Sequence, residues 1–242
     1  MILGCAGTAH AAVEIDQENL AVWRSGTRIG GSLLYYQPEF AVSRLGQLQS
    51  VTAGKEGFLK SIDLQLFRTN DSNSNLSFDV SIVNGEPALT GAIVPLATVS
   101  LLRSSLPTAV AVQSGVLVNV DFSSLNYALK AGQKFSILIS MPAIATGPGS
   151  PTINGPSWAY GLERTSDGSF TPEFTNYSGG FNTVINGDGS RAITGSDRGF
   201  RTYVDVTAVP EPATWTMMTG GFGMVGGAIR AGRRRKVTFA HA

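Results

Sequence analysis

One stretch of the chain leaves little freedom over what it can become. In residues 58–67, Ile62, Leu64 and Leu66 alternate with Ser61, Asp63 and Gln65. A period of two puts every second side chain on the same side of an extended backbone, so this stretch predicts a β-strand with one buried face. The pattern returns in Leu76-Ser77-Phe78-Asp79-Val80-Ser81-Ile82. It recurs with Val116, Val118, Val120 and Phe122 on one face, and again in Lys134-Phe135-Ser136-Ile137-Leu138-Ile139-Ser140. Less regular runs at 33–36, 45–52, 94–102, 157–161, 181–185 and 199–206 read as further strands. Turn chemistry falls between them, at Ala53-Gly54-Lys55-Glu56-Gly57, Asn84-Gly85-Glu86-Pro87 and Ala131-Gly132-Gln133. Eight to ten short strands, with no convincing amphipathic helix, predict an all-β, jelly-roll-like antiparallel β-sandwich over residues 12–208.

The composition suits that reading. Charged residues make up only 14% of the 242, glycine numbers 29, and apolar residues reach 43%. The average charged share of a soluble domain is about 25%. Five of the positive charges, Arg230, Arg233, Arg234, Arg235 and Lys236, sit together near the C-terminus. Without them the body is mildly acidic, which excludes the basic footprint of a nucleic-acid binder.

Those five residues close a second distinctive stretch, residues 209–242. It opens with Pro210-Glu211-Pro212, which the fixed φ of proline keeps extended and out of any sheet. Trp215 follows, within a glycine-rich apolar run from 213 to 229 that holds no ionisable side chain. At ~1.5 Å per helical residue this run is close to the ~17-residue lower limit for crossing a bilayer core. Trp215 stands where an interfacial aromatic belongs, and the basic stop stands where a positive-inside anchor belongs. A short C-terminal transmembrane helix is the expectation. Gly223 and Gly227 form a small-xxx-small pair that would let a partner helix approach closely.

In this order, Pro210, Glu211, Pro212, Trp215, the glycine-rich span and the basic group resemble the PEP-CTERM sorting signal of bacterial secreted proteins. The resemblance covers about a seventh of the chain. It implies export across the inner membrane of a Gram-negative bacterium and recognition by an exosortase-type sorting protease. It also implies cleavage near the tripeptide, with the body released or held at the cell surface. The bare physical alternative is a plain single-span anchor. The body in turn resembles bacterial extracellular jelly-roll domains found ahead of such signals. The residues that carry this are Thr52-Ala53-Gly54 leading to Ile62-Asp63-Leu64, Ala131-Gly132-Gln133-Lys134-Phe135, Trp158 with Tyr160, and Phe200-Arg201-Thr202-Tyr203-Val204.

At the other end, Ala9-His10-Ala11 has the small-x-small form of a signal-peptidase site. Residues 1–11 read as the remnant of a secretion signal whose basic and apolar parts are expected upstream of Met1. Cleavage is expected before Ala12. Lipidation at Cys5 is the alternative.

The residue inventory bounds the chemistry. His10 and His241 are the only histidines and Cys5 the only cysteine, so a body beginning at Ala12 holds neither type. Ser-His-Asp and Cys-His catalysis are unavailable to it, as is a His- or Cys-ligated zinc site. Paired carboxylates for glycoside hydrolysis remain conceivable among Asp63, Asp79, Asp121, Glu163 and Glu173, although each also reads as a turn or the polar face of a strand. No cofactor is expected. Oxygen-rich loops at 70–75 and 186–190 could hold a structural Ca²⁺ and are equally ordinary turns. The binding-module reading is a surface for extracellular polysaccharide, with Trp158, Tyr160 and Tyr177 as stacking platforms and Phe181 beside them. Its rival is that Trp158 and Tyr160 belong to the core. A non-enzymatic, exported envelope or extracellular-matrix protein is the resulting expectation.

Overall fold

The computed structural model describes residues 12–21, 27–36, 44–68, 76–113, 116–141, 153–164, 170–172, 177–206, 222, 224–226 and 229–230. In chain order the strands are β1 (Ala12–Asn19), β2 (Thr27–Tyr36), β3 (Arg44–Thr52), β4 (Gly57–Leu64), β5 (Leu66–Phe67), β6 (Ser77–Asn84) and β7 (Pro95–Leu102). A five-residue helix, α1 (Ala109–Gln113), separates these from β8 (Val118–Asp121), β9 (Ala128–Leu129) and β10 (Lys134–Ser140). Then come β11 (Ile153–Arg164), β12 (Phe170–Pro172), β13 (Asn182–Asn186), β14 (Arg191–Thr194) and β15 (Phe200–Val206).

The strands form two antiparallel sheets. The smaller runs β1-β15-β4-β8, with β9 also on β4; the larger runs β12-β11-β2-β3-β10-β6-β7, with β5 also on β11 and the β13–β14 hairpin on β3. Leu59, Ile62, Leu64, Val120, Phe200 and Val204 of the small sheet share one core with Val51, Phe78, Val80, Ile82, Phe135, Ile137 and Ile139 of the large one. The two sheets thus face each other across a common apolar layer, as a sandwich requires. The all-β expectation and the antiparallel pairing are both met.

Alternation predicts β4 and β6 well. It hides a corner, however. The run 58–67 is two strands: β4 lies in the small sheet and β5 pairs β11 in the large one. The chain changes sheets at Gln65, which is buried. Its backbone N–H donates to the Gly199 carbonyl (3.0 Å), and its carbonyl accepts from Ala159 (2.9 Å). Its side-chain amide accepts from the Ala21 N–H at 2.7 Å and donates to the Ala21 carbonyl at 2.9 Å. A buried amide is tolerable where its partners are fixed, and here two of its polar atoms are satisfied by one residue.

β10 shows the opposite departure. Phe135 to Ile139 are all buried, because Leu138, Leu48 and Val83 on the outer face pack with Ile93 and Ile185. The β13–β14 hairpin continues the sheet beside β3, and Ile185 of β13 joins this outer cluster. Strands β1 and β14 add sheet beyond the runs that alternation marks as strands.

Backbone packing divides the chain into Val13–Val206 on the one hand, and Met1–Ala12 with Thr207–Ala242 on the other. Among the described residues no helix is long and apolar enough to cross a membrane.

Candidate functional site

The tail and the aromatic group of the body are the two places to which the sequence assigns function. Pro210, Glu211, Pro212, Trp215, Arg233, Arg234, Arg235 and Lys236 lie outside the described residues, as do Gly223 and Gly227. The described part of the tail is helical at 222, 224–226 and 229–230. Phe222, Met224, Val225 and Ile229 there are 69%, 79%, 60% and 60% exposed. Among the described residues nothing lies within 4 Å of a Cβ added at Gly226. These apolar side chains are mostly exposed. Arg230 follows, also exposed. Such a segment costs free energy in water and gains it in hydrocarbon.

In the body, burial decides the role of each aromatic. Trp158 is 1% exposed and belongs to the main core. Its Nε1 donates to the Gly199 carbonyl at 2.9 Å, which satisfies the one polar atom of the ring. It offers no face to a sugar, so the stacking role expected for Trp158 gives way to the core role. Tyr160 is half-buried, and the Arg198 guanidinium carbon sits 4.8 Å from its ring centre. That contact occupies one face of the ring. Tyr177 meets Phe200 edge-on, with centroids 5.1 Å apart. Its hydroxyl accepts from the Thr52 N–H at 3.0 Å and lies 3.2 Å from the Thr52 carbonyl and 3.3 Å from the Gln17 amide oxygen. Burial pushes the phenol up to about 12. Tyr177 therefore pins β3 to the turn at 177–180 and is not an open platform.

The same region holds a buried polar group that sequence patterning misses. Gln47 and Gln49 lie opposite Ile139 and Ile137, whose side chains are in the core. They therefore point inward, and Leu48 points outward. The physical reason is the partner they meet. Arg198, 2% exposed, donates from Nε to the Gln47 side-chain oxygen at 3.0 Å and from Nη1 to Ser196 at 3.1 Å. Its backbone N–H donates to Gln49 at 2.9 Å, and Gln49 donates in turn to Asp197 at 3.0 Å. Burial lowers the Arg198 pKa to about 10, partly opposed by Tyr160 and Asp197. Burial raises that of Asp197, against the hydrogen bonds from Gln49 and Tyr177. Asp16 is raised by burial too, although the Lys55 and Gly54 N–H groups oppose the shift.

Each described candidate carboxylate has a local hydrogen-bond partner. Asp63 accepts from Asn119 and Tyr203, Asp79 from Ser100 and Asp121 from Ser123. The Glu163 side chain, Glu173 and the loop 70–75 lie outside the described residues. In the loop 186–190, Asp188 accepts from both the N–H and the hydroxyl of Ser190, and Gly189 takes φ +82°. Its oxygens serve a tight turn. Among the described residues, no group of three or more His, Cys, Asp or Glu side chains is placed to hold a metal.

Comparison with known families bears on the tail. Residues 208–236 match the family described as the PEP-CTERM protein-sorting motif. No curated protein matches the chain. An exported protein sorted through an exosortase, with a C-terminal membrane-anchoring signal and a β-sandwich body, is the class that these findings define.

Proposed function

We propose that the chain is a non-enzymatic component of the cell envelope or extracellular matrix, and that its sorting signal is cut near Pro210–Pro212. The tail first holds the precursor in the inner membrane and is then removed by the sorting protease, leaving the body at the cell surface or outside it. The observation that carries this reading is the sorting motif at 208–236 directly behind the last strand, which ends at Val206. A body without histidine or cysteine between Ala12 and the motif supports a structural role. The test is deletion of residues 208–242 in the producing cell, followed by fractionation and intact-mass measurement. The full chain is expected to yield a surface or extracellular species shortened at its C-terminus. The same location and mature mass with and without the motif would sink the proposal.

One surface favours polysaccharide as the matrix partner. On the outer face of the small sheet, Phe58 is 43% exposed. Asp63 and Tyr203 join there through the Tyr203 hydroxyl at 2.8 Å, with Asn119 on the other Asp63 oxygen. An exposed ring on the same sheet face as amide, hydroxyl and carboxylate groups, with Phe58 opposite Asp205 and Asp63 further along β4, is chemistry that an extended sugar chain can use. Retarded migration in gels containing the host's polysaccharide, lost in Phe58→Ala, would support this. Unretarded wild-type protein would remove it.

A further inference from the structure

The sheet edges of the body are not alike. In the small sheet, β1 carries Glu14, Asp16 and Glu18, while β8 has four residues and ends at Asp121. In the large sheet, β12 has three residues and ends in Pro172, and β14 has four and begins with Arg191. Charge, proline and shortness are the usual ways of keeping an edge from pairing with another chain. The remaining edge, β7, has eight residues and no charge: Pro95-Leu96-Ala97-Thr98-Val99-Ser100-Leu101-Leu102. Only its first end is blunted. Pro95 lacks a donor, and Leu96 is bulged, since Val83 faces Pro95 while Ile82 faces Ala97. From Ala97 to Leu102 the strand is regular. It pairs β6 on one side, and among the described residues no strand pairs it on the other.

Two further observations identify the missing neighbour. Ala97, Val99 and Leu101 pack against the main core yet remain partly exposed, so the core runs out to this edge unfinished. The strand is also complementary to itself. An antiparallel pairing centred on Val99 sets Ala97 against Leu101 on the core side, a small residue against a large one. It sets Thr98 against Ser100 on the outer side. At the flanks it brings Leu96 towards Leu102, which are 44% and 53% exposed. No position meets a like charge, Thr98 and Ser100 form a hydroxyl pair of a stabilising kind, and the other pairs are apolar on both sides.

We propose that β7 pairs with β7 of a second copy of this chain about a two-fold axis at Val99, joining the two large sheets into one. Such an isologous contact uses the same strand on both sides and closes at a dimer. The guarded edges elsewhere give it no route to a fibre.

The test is sedimentation of the full chain in mild detergent across a concentration series. Thr98→Lys and Ser100→Lys, both at exposed outer positions, are compared with the wild type. The expected result is a wild-type dimer and its loss in either lysine variant, with the circular dichroism of the folded body retained. In a Cys5→Ser background, a mixture of the Thr98→Cys and Ser100→Cys chains is expected to cross-link more readily than either alone, which tests the register without adding charge. A wild type that sediments as a monomer throughout, or a dimer that survives both lysine substitutions, overturns the proposal. So does cross-linking no greater in the mixture than in the single chains.

Discussion

The body and the tail handle apolar surface in opposite ways. Between Val13 and Val206, side chains such as Ile62, Val80, Phe135 and Phe200 are hidden by protein from two sheets. In the tail, Phe222, Met224, Val225 and Ile229 are mostly exposed. One part carries its own solvent-excluding partner; the other depends on its surroundings for cover. The contrast explains how a chain can be both a stable cargo and an address. The body folds by internal burial, and the tail has hydrophobic contacts left to give to a bilayer and to a membrane enzyme.

The sharpest way to break this contrast is to damage the body's self-sufficiency. Gly199→Ala is expected to be the most severe change. A Cβ there would stand 1.9 Å from the Gln65 side-chain oxygen and 2.7 Å from its amide carbon. The Gly199 backbone also bonds Gln65, Ala159 and the Trp158 indole. Thermal or urea unfolding should show a loss comparable to that of Trp158→Ala, about 3–5 kcal/mol for truncating a buried aromatic. A Gly199→Ala protein as stable as the wild type would remove the Gln65–Gly199 corner from the account.

The next effect belongs to the half-buried carboxylates. Asp197 has its pKa raised in the folded protein above the usual value near 3.8. In the window just above that value the native state binds more proton than the unfolded chain, so stability falls as pH rises through it. Asp16 acts in the same direction. Asp197→Asn keeps an acceptor for Gln49 and removes one titration. Its urea midpoint is expected to fall less than that of the wild type between acid and neutral pH. An equal pH slope in the two proteins would show that Asp197 does not supply it.

The smallest effect tests the tail. Gly226→Ala removes a backbone-entropy cost of roughly 0.5–1 kcal/mol in a helix and meets no clash among the described residues. The body's melting should be unchanged, while pulse-labelled precursor should persist slightly longer in the membrane fraction. A shift in the melting of the body would mean that the tail is not independent of it.

Much of this was legible in the residues. Period-two runs located β4, β6 and β10, and the tripeptide, span and arginines located the sorting signal at once, because each rests on local chemistry. What stayed hidden depends on partners distant in sequence. Gln47 and Gln49 look like the wet side of a strand flanking Leu48; only Arg198, about 150 residues on, turns them inward. Gln65 looks like one more polar alternate, and its role at the corner needs Ala21 and Gly199 in place. Trp158 and Tyr160 share a strand face, yet the first closes the core and the second lies against a cation, a division that no spacing rule draws.

The place of β15 has a consequence for biogenesis. It lies between β1 and β4 in the small sheet, yet it is the last strand the ribosome makes. The earliest strand therefore waits, unpaired along its length, until nearly the whole body has been synthesised. One wall of the sandwich can shut only when Val206 has appeared, a couple of residues short of the sorting motif. Completion of the cargo and arrival of its label are thereby scheduled together.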